Sequence, residues 1–176
     1  QSIAGFPYIA MRPTGVYGPH ERDYYLMVKS IAQGFDFSVG YRRQLLTFVY
    51  VKDLASAVFD ALESGVRRKS YLLTDGKTYT QSEFRGIVKH LLGKRFVVPV
   101  KAPLWIVGIV CAIAERIAAA KGKASTLNRD KYKILRQRNW TCDITPAVND
   151  FGYHPRYDLR QGLEETIRWY RDNGWL

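Results

Sequence analysis

The sequence predicts an α/β fold, and three observations carry that prediction. Short apolar runs of strand length, Phe6 to Met11, Thr47 to Val51 and Ser70 to Thr74, alternate with stretches whose apolar residues recur at helical spacing. Turn-forming residues stand at the junctions, densest in RPTGVYGP from Arg12 to Pro19. No repeat or low-complexity tract competes with this pattern, and strands alternating with helices indicate an α/β domain in place of a bundle or sandwich.

Each element follows from local chemistry. The two prolines and two glycines of Arg12 to Pro19 force a loop at the carboxyl end of the first strand. Glu21 to Gln33 reads as a helix closed by Gly34, and Phe35 to Val39 as a further strand. After Thr47 to Val51, Asp53 is expected to cap a helix with Leu54, Ala57, Val58, Ala61 and Leu62 on its apolar stripe, ended by Gly65. Thr80 precedes Glu83 by three positions, the spacing of a capping box, ahead of a helix over Ser82 to Leu92 stopped by Gly93. Phe96 to Val98 resumes as strand. Asn128 to Arg138 reads as a basic helix, and Asp158 caps a final helix whose stripe is Leu163, Ile167 and Tyr170, with Trp169 to one side.

A chain of 176 residues has room for one domain with a sizeable core. Its formal charge of +11 is local: Lys101 to Trp140 holds nine basic and two acidic residues, a net of +7. Beside that charge, Ala102 to Ala114 carries none at all, yet it is shorter than the ~20 apolar residues of a bilayer span. A buried or interfacial helix is the expectation there, with peripheral membrane contact through 102–138 left open. No nucleic-acid motif accompanies the charge, so no nucleic-acid partner is expected, although a basic membrane- or nucleic-acid-binding module stands as an alternative. Cys111 and Cys142 have no metal-ligand spacing and read as buried free thiols in a cytoplasmic setting. His20, His90 and His154 are scattered, so no metal site is expected.

Three segments, RPTGVYGP, TFVYVKDLASAV and FGYHPRYDLRQGLEETIRWYRDNGWL, resemble the extended short-chain dehydrogenase/reductase family, also called the NAD-dependent epimerase/dehydratase family, in its order and spacing. The resemblance runs from Phe6 to Leu176 and is to the second half of that family's proteins. It implies the last part of a Rossmann-like sheet over 1–65 and a small α/β substrate-binding portion over 66–176, with the N-terminal cofactor half absent. The family's Gly-rich dinucleotide loop has no counterpart among these glycines, and its catalytic Tyr-x-x-x-Lys helix would precede Gln1. Tyr25 and Lys29 have that spacing but follow the strand in place of preceding it, so no catalytic residue is expected in this chain.

What the resemblance implies is therefore a fragment that is inactive alone, from a parent using NAD or NADP, with no cofactor held by the fragment itself. Pro13 and Thr14 are expected to touch the nicotinamide end of the cofactor, and Gly15, Tyr17, His20 and Leu46 to face a small-molecule substrate. Tyr17 also reads as a packed aromatic and His20 as a surface-turn histidine. Nucleotide-sugar members carry an asparagine at the position of Gly15 and an arginine at that of Leu46. Losing both removes charge-assisted grips on a diphosphate, which favours an apolar, unphosphorylated substrate of the hydroxysteroid-dehydrogenase-like kind. A nucleotide-sugar epimerase fragment is the alternative, with Arg42 and Arg43 as its nearest substitute cations. The face left by a missing half also leaves self-association open.

Overall fold

A computed structural model describes residues 6–120, 132–133 and 137–176. Four pairs of short strands form its sheets. β1 (Ile9–Pro13) runs parallel to β6 (Lys69–Leu73), with Met11 opposite Tyr71. β2 (Gly15–Tyr17) runs parallel to β5 (Phe48–Tyr50), with Val16 opposite Val49. β3 (Phe35–Val39) and β8 (Val98–Ala102) are also parallel, while β4 (Leu45–Leu46) and β7 (Tyr79–Thr80) are antiparallel. Parallel neighbours need crossovers, and helices supply them: α1 (Arg22–Ala32), α2 (Val51–Glu63), α3 (Gln81–Leu91), α4 (Leu104–Ala120), α5 (Thr145–Phe151) and α6 (Leu159–Asp172).

Helix ends follow their capping chemistry. The Glu21 carboxylate accepts the first amides of α1, from Asp23 and Tyr24 at 2.8 and 2.6 Å. Thr80 with Glu83 and Asp158 with Gln161 form reciprocal capping boxes on α3 and α6. The cap expected at Asp53 is not there: Tyr50 is the N-cap of α2, and Asp53 lies inside the first turn. Its buried carboxylate instead accepts the backbone N–H groups of Arg156 and Tyr157 at 3.1 and 3.0 Å, pinning the entry to α6 against α2. Of the expected stripe on α2, Ala57 and Ala61 are buried while Val58 and Leu62 face outward.

The core has two parts. The larger joins Tyr17, Val28, Phe48, Phe84, Leu163 and Tyr170, and the smaller joins Ala57, Tyr71, Leu73 and Tyr153. α6 packs close because Gly162 offers no Cβ where the buried Tyr17 ring sits, so ring and helix backbone touch directly.

Two expectations of burial change. α4 has only Cys111 buried among its described side chains, so the reading of an ordinary core helix does not hold: an element apolar on every face has no periodicity to reveal which side is covered. Cys142 is half-buried, its thiol donating to the Trp140 carbonyl at 3.4 Å. The basic helix expected over 128–138 lies largely outside the described residues.

Candidate functional site

The chain changes strand partner at Thr14. Residues up to Pro13 pair with β6, and from Gly15 onward with β5. Thr14 holds the transition by donating both its amide and its hydroxyl to the Leu73 carbonyl, at 3.2 and 3.3 Å, while the Gly15 amide donates to Thr47 O at 3.3 Å. A crevice opens where parallel strands part in this way, at their carboxyl ends. Here it is a cavity of about 620 Å³.

Pro13, Thr14, Gly15 and Leu46 all line this cavity, so four of the six residues expected to bind cofactor or substrate come together. Tyr17 and His20 do not join them. Tyr17 is buried in the core, donating from its hydroxyl to the Asp158 carbonyl at 3.3 Å and packed against Phe48 and Tyr50. His20 is exposed at a turn with φ of 68°, its ring 4.3 Å from that of Trp169. For both residues the geometry is that of the plainer reading.

Other walls come from segments far away in sequence. Phe84 and Arg85 enter from α3, Met27 and Tyr24 from α1, and Trp140 from the stretch that runs beside β4 through Leu45 and Asn139. Thr47 fastens that stretch by donating to Trp140 O at 2.6 Å. Gln81 donates to the Gln44 side chain across the rim. The guanidinium of Arg85 is paired with Asp36 at 2.9 Å, both about four-fifths buried. The lining is thus mostly apolar, with one cation already matched by an anion of the chain.

Tyr24 is the site residue that local sequence reading missed. Its hydroxyl lies against Gly15 where a Cβ would be, so a side chain at position 15 would collide with it. Burial, then the carboxylates of Glu21 and Asp23, push this phenol well above its ordinary pKa. It stays a neutral donor at neutral pH. The only available signal was the smallness of residue 15, which says that something approaches without saying what.

Tyr25 and Lys29 are far from chemistry of the dehydrogenase kind. The Tyr25 hydroxyl donates to Trp175 O at 2.6 Å, its ring packs edge-on against Tyr170 and Trp175, and Lys29 Nζ sits 5.4 Å from the Tyr25 ring centroid. The pair fastens the chain's last residues to α1. Among the described residues, no group of three His, Cys, Asp or Glu side chains is placed to hold a metal.

A dinucleotide needs free N–H groups around its diphosphate. At the Pro13–Thr14 turn, proline has no N–H and both donors of Thr14 are spent on Leu73. The turn offers no phosphate cradle.

The chain is similar to several known proteins. The model of the NAD dependent epimerase/dehydratase family matches residues 1–73. UDP-glucuronate 4-epimerase 6 of Arabidopsis thaliana is 28% identical over 96% of the chain and 35% of its own length. The decarboxylating sterol-4-alpha-carboxylate 3-dehydrogenase of Saccharomyces cerevisiae is 23% identical over 92% of the chain and 49% of its own length. Among solved structures, the dTDP-glucose 4,6-dehydratase DesIV of Streptomyces venezuelae, with NAD and TYD bound, superposes with a TM-score of 0.70 at 21% identity, over 95% of the chain and 45% of DesIV. The chain spans between about a third and a half of these proteins. With a family model matched over its first 73 residues and a fold shared with DesIV along nearly its whole length, the chain is similar to proteins of the NAD dependent epimerase/dehydratase family.

Proposed function

We propose that these 176 residues form the substrate-binding half of an NAD(P)-dependent enzyme of this family, acting on an apolar, unphosphorylated substrate of the hydroxysteroid-dehydrogenase-like kind. The single observation behind the reading is the cavity at the Thr14 switch: its walls are mostly apolar and its one guanidinium, Arg85, is matched by Asp36. In this reading Pro13 and Thr14 brace the nicotinamide end of the cofactor, and Tyr24 donates a hydrogen bond to a substrate hydroxyl or carbonyl at the place Gly15 leaves open. The cofactor supplies hydride transfer. The tyrosine and lysine that move the proton, and the donors that hold the diphosphate, belong to a cofactor-binding half encoded outside this stretch, so the chain by itself binds substrate and turns over no NAD(P)H.

A nucleotide-sugar substrate is the second reading, favoured by the names of relatives such as UDP-glucuronate 4-epimerase 6. It requires Arg85 to leave Asp36 for a phosphate. Thermal unfolding with added ligands separates the two. A ligand at about 100 times its Kd stabilises by ~2.7 kcal/mol, a rise of roughly 5–10 °C for a chain of this size. A keto- or hydroxysteroid or a flavonoid is expected to produce that rise, and UDP-glucose or dTDP-glucose is not. Stabilisation by the nucleotide sugars that disappears in Arg85→Ala reverses the assignment.

A further inference from the structure

α4 exposes what other helices hide. Trp105, Ile106, Ile109, Val110, Ile113 and Ile117 all face outward, from 39% exposed at Ile106 to 66% at Trp105. At about 100° per residue they cover roughly 140° of the helix circumference, and the buried Cys111 falls nearly opposite their centre. The only charged side chain within that arc is Arg116.

The helix is 17 residues long, about 25 Å, and among the described residues none is long and apolar enough to cross a membrane. An apolar stripe of this width with cations beside it suits the boundary between lipid headgroups and acyl chains. The cations are at hand. Lys101 lies in β8, three positions before the helix begins, and most of the chain's excess positive charge lies between residues 101 and 140. Tyr132 packs on α4 at Gly108, where a Cβ would stand 3.3 Å from the ring. A nucleic acid would use the charge and leave the apolar arc uncovered; a second copy, equally basic, would bring like charges together.

We propose that α4 docks this protein on the surface of an anionic bilayer, with Trp105, Ile109 and Ile113 lying in the headgroup boundary and Lys101 and Arg116 on acidic lipids. The proposal stands apart from the substrate assignment, since it uses none of the cavity residues.

Co-sedimentation of the full 176-residue chain with phosphatidylcholine vesicles, with and without phosphatidylserine, tests it. Binding is expected to the anionic vesicles only and to weaken as salt rises. Ile109→Asp with Ile113→Asp, both at exposed positions and checked for native circular dichroism, is expected to bind at least about tenfold more weakly. Lys101→Gln with Arg116→Gln is expected to lose roughly fivefold per charge on anionic vesicles. Brominated lipid should quench the emission of the wild type more than that of Trp105→Phe. Wild-type binding by the double aspartate variant, equal binding to both vesicle types, or no binding at all overturns the proposal. A dimer abolished by the aspartates, without vesicle binding, gives the face to a second copy and overturns it too.

Discussion

The Tyr24 hydroxyl occupies the space that a side chain on Gly15 would need, so these two residues act as one unit in the wall of the cavity. An asparagine at position 15 would meet Tyr24 Oη, Phe48 Cδ1 at 3.1 Å and Thr47 O at 3.3 Å from its Cβ alone. Gly15→Asn is expected to destabilise by about 1–3 kcal/mol through overpacking. Tyr24→Phe removes the colliding oxygen, so Gly15→Ala should cost less in that background. A coupling of at least ~0.5 kcal/mol in a double-mutant cycle from urea unfolding is the expected reading, and strict additivity would show that the two residues do not share this space.

Asp53 joins two segments 103 residues apart in sequence. Asp53→Ala leaves the Arg156 and Tyr157 amides without their acceptor at a buried site, at a cost of about 1–3 kcal/mol. Asp53→Asn retains one acceptor oxygen and should lose less. Denaturant midpoints of the two variants check the order; equal losses would point to the charge and not to the paired amides.

Tyr25→Phe is expected to lose only the hydrogen bond to Trp175 O, about 0.5–1.5 kcal/mol of stability. Affinity for any cavity ligand should stay as in the wild type, because Tyr25 does not line that cavity. A ligand-binding defect without a stability change would restore the catalytic-pair reading of Tyr25 and Lys29.

Alkaline pH should unfold this chain through its tyrosines. Tyr17, Tyr24, Tyr50, Tyr79, Tyr153 and Tyr170 are raised above the ordinary 10.0 chiefly by burial, and Tyr71 is pushed up to about 12 by burial and by its hydrogen bond to Asp150. A folded pKa above the unfolded one means that the contribution is fully present below pH 10 and is lost as pH rises beyond it. The urea midpoint should therefore decline steeply above pH 10, with phenolate absorbance appearing as the chain unfolds. Phenolate forming near pH 10 at these tyrosines in the still-folded protein would contradict it.

Local chemistry in the sequence determined the starts of α1, α3 and α6 and the class of fold. Glu21, Thr80 and Asp158 each stand within three residues of the amides they cap, so their roles are written in short spacings. The prolines and glycines from Arg12 to Pro19 mark the region of the cavity, although the structure places β2 (Gly15–Tyr17) inside the expected loop. Tertiary structure decided the rest, because burial depends on partners distant along the chain. Asp53 resembles an N-cap until Arg156 and Tyr157 arrive. The sequence points to Tyr17 and not to Tyr24 as a site residue, until Gly162 admits the Tyr17 ring into the core and Gly15 admits the Tyr24 hydroxyl to the cavity wall. In α4 no local pattern distinguishes inside from outside, and only the packing of its neighbours leaves Trp105 and the isoleucines facing solvent.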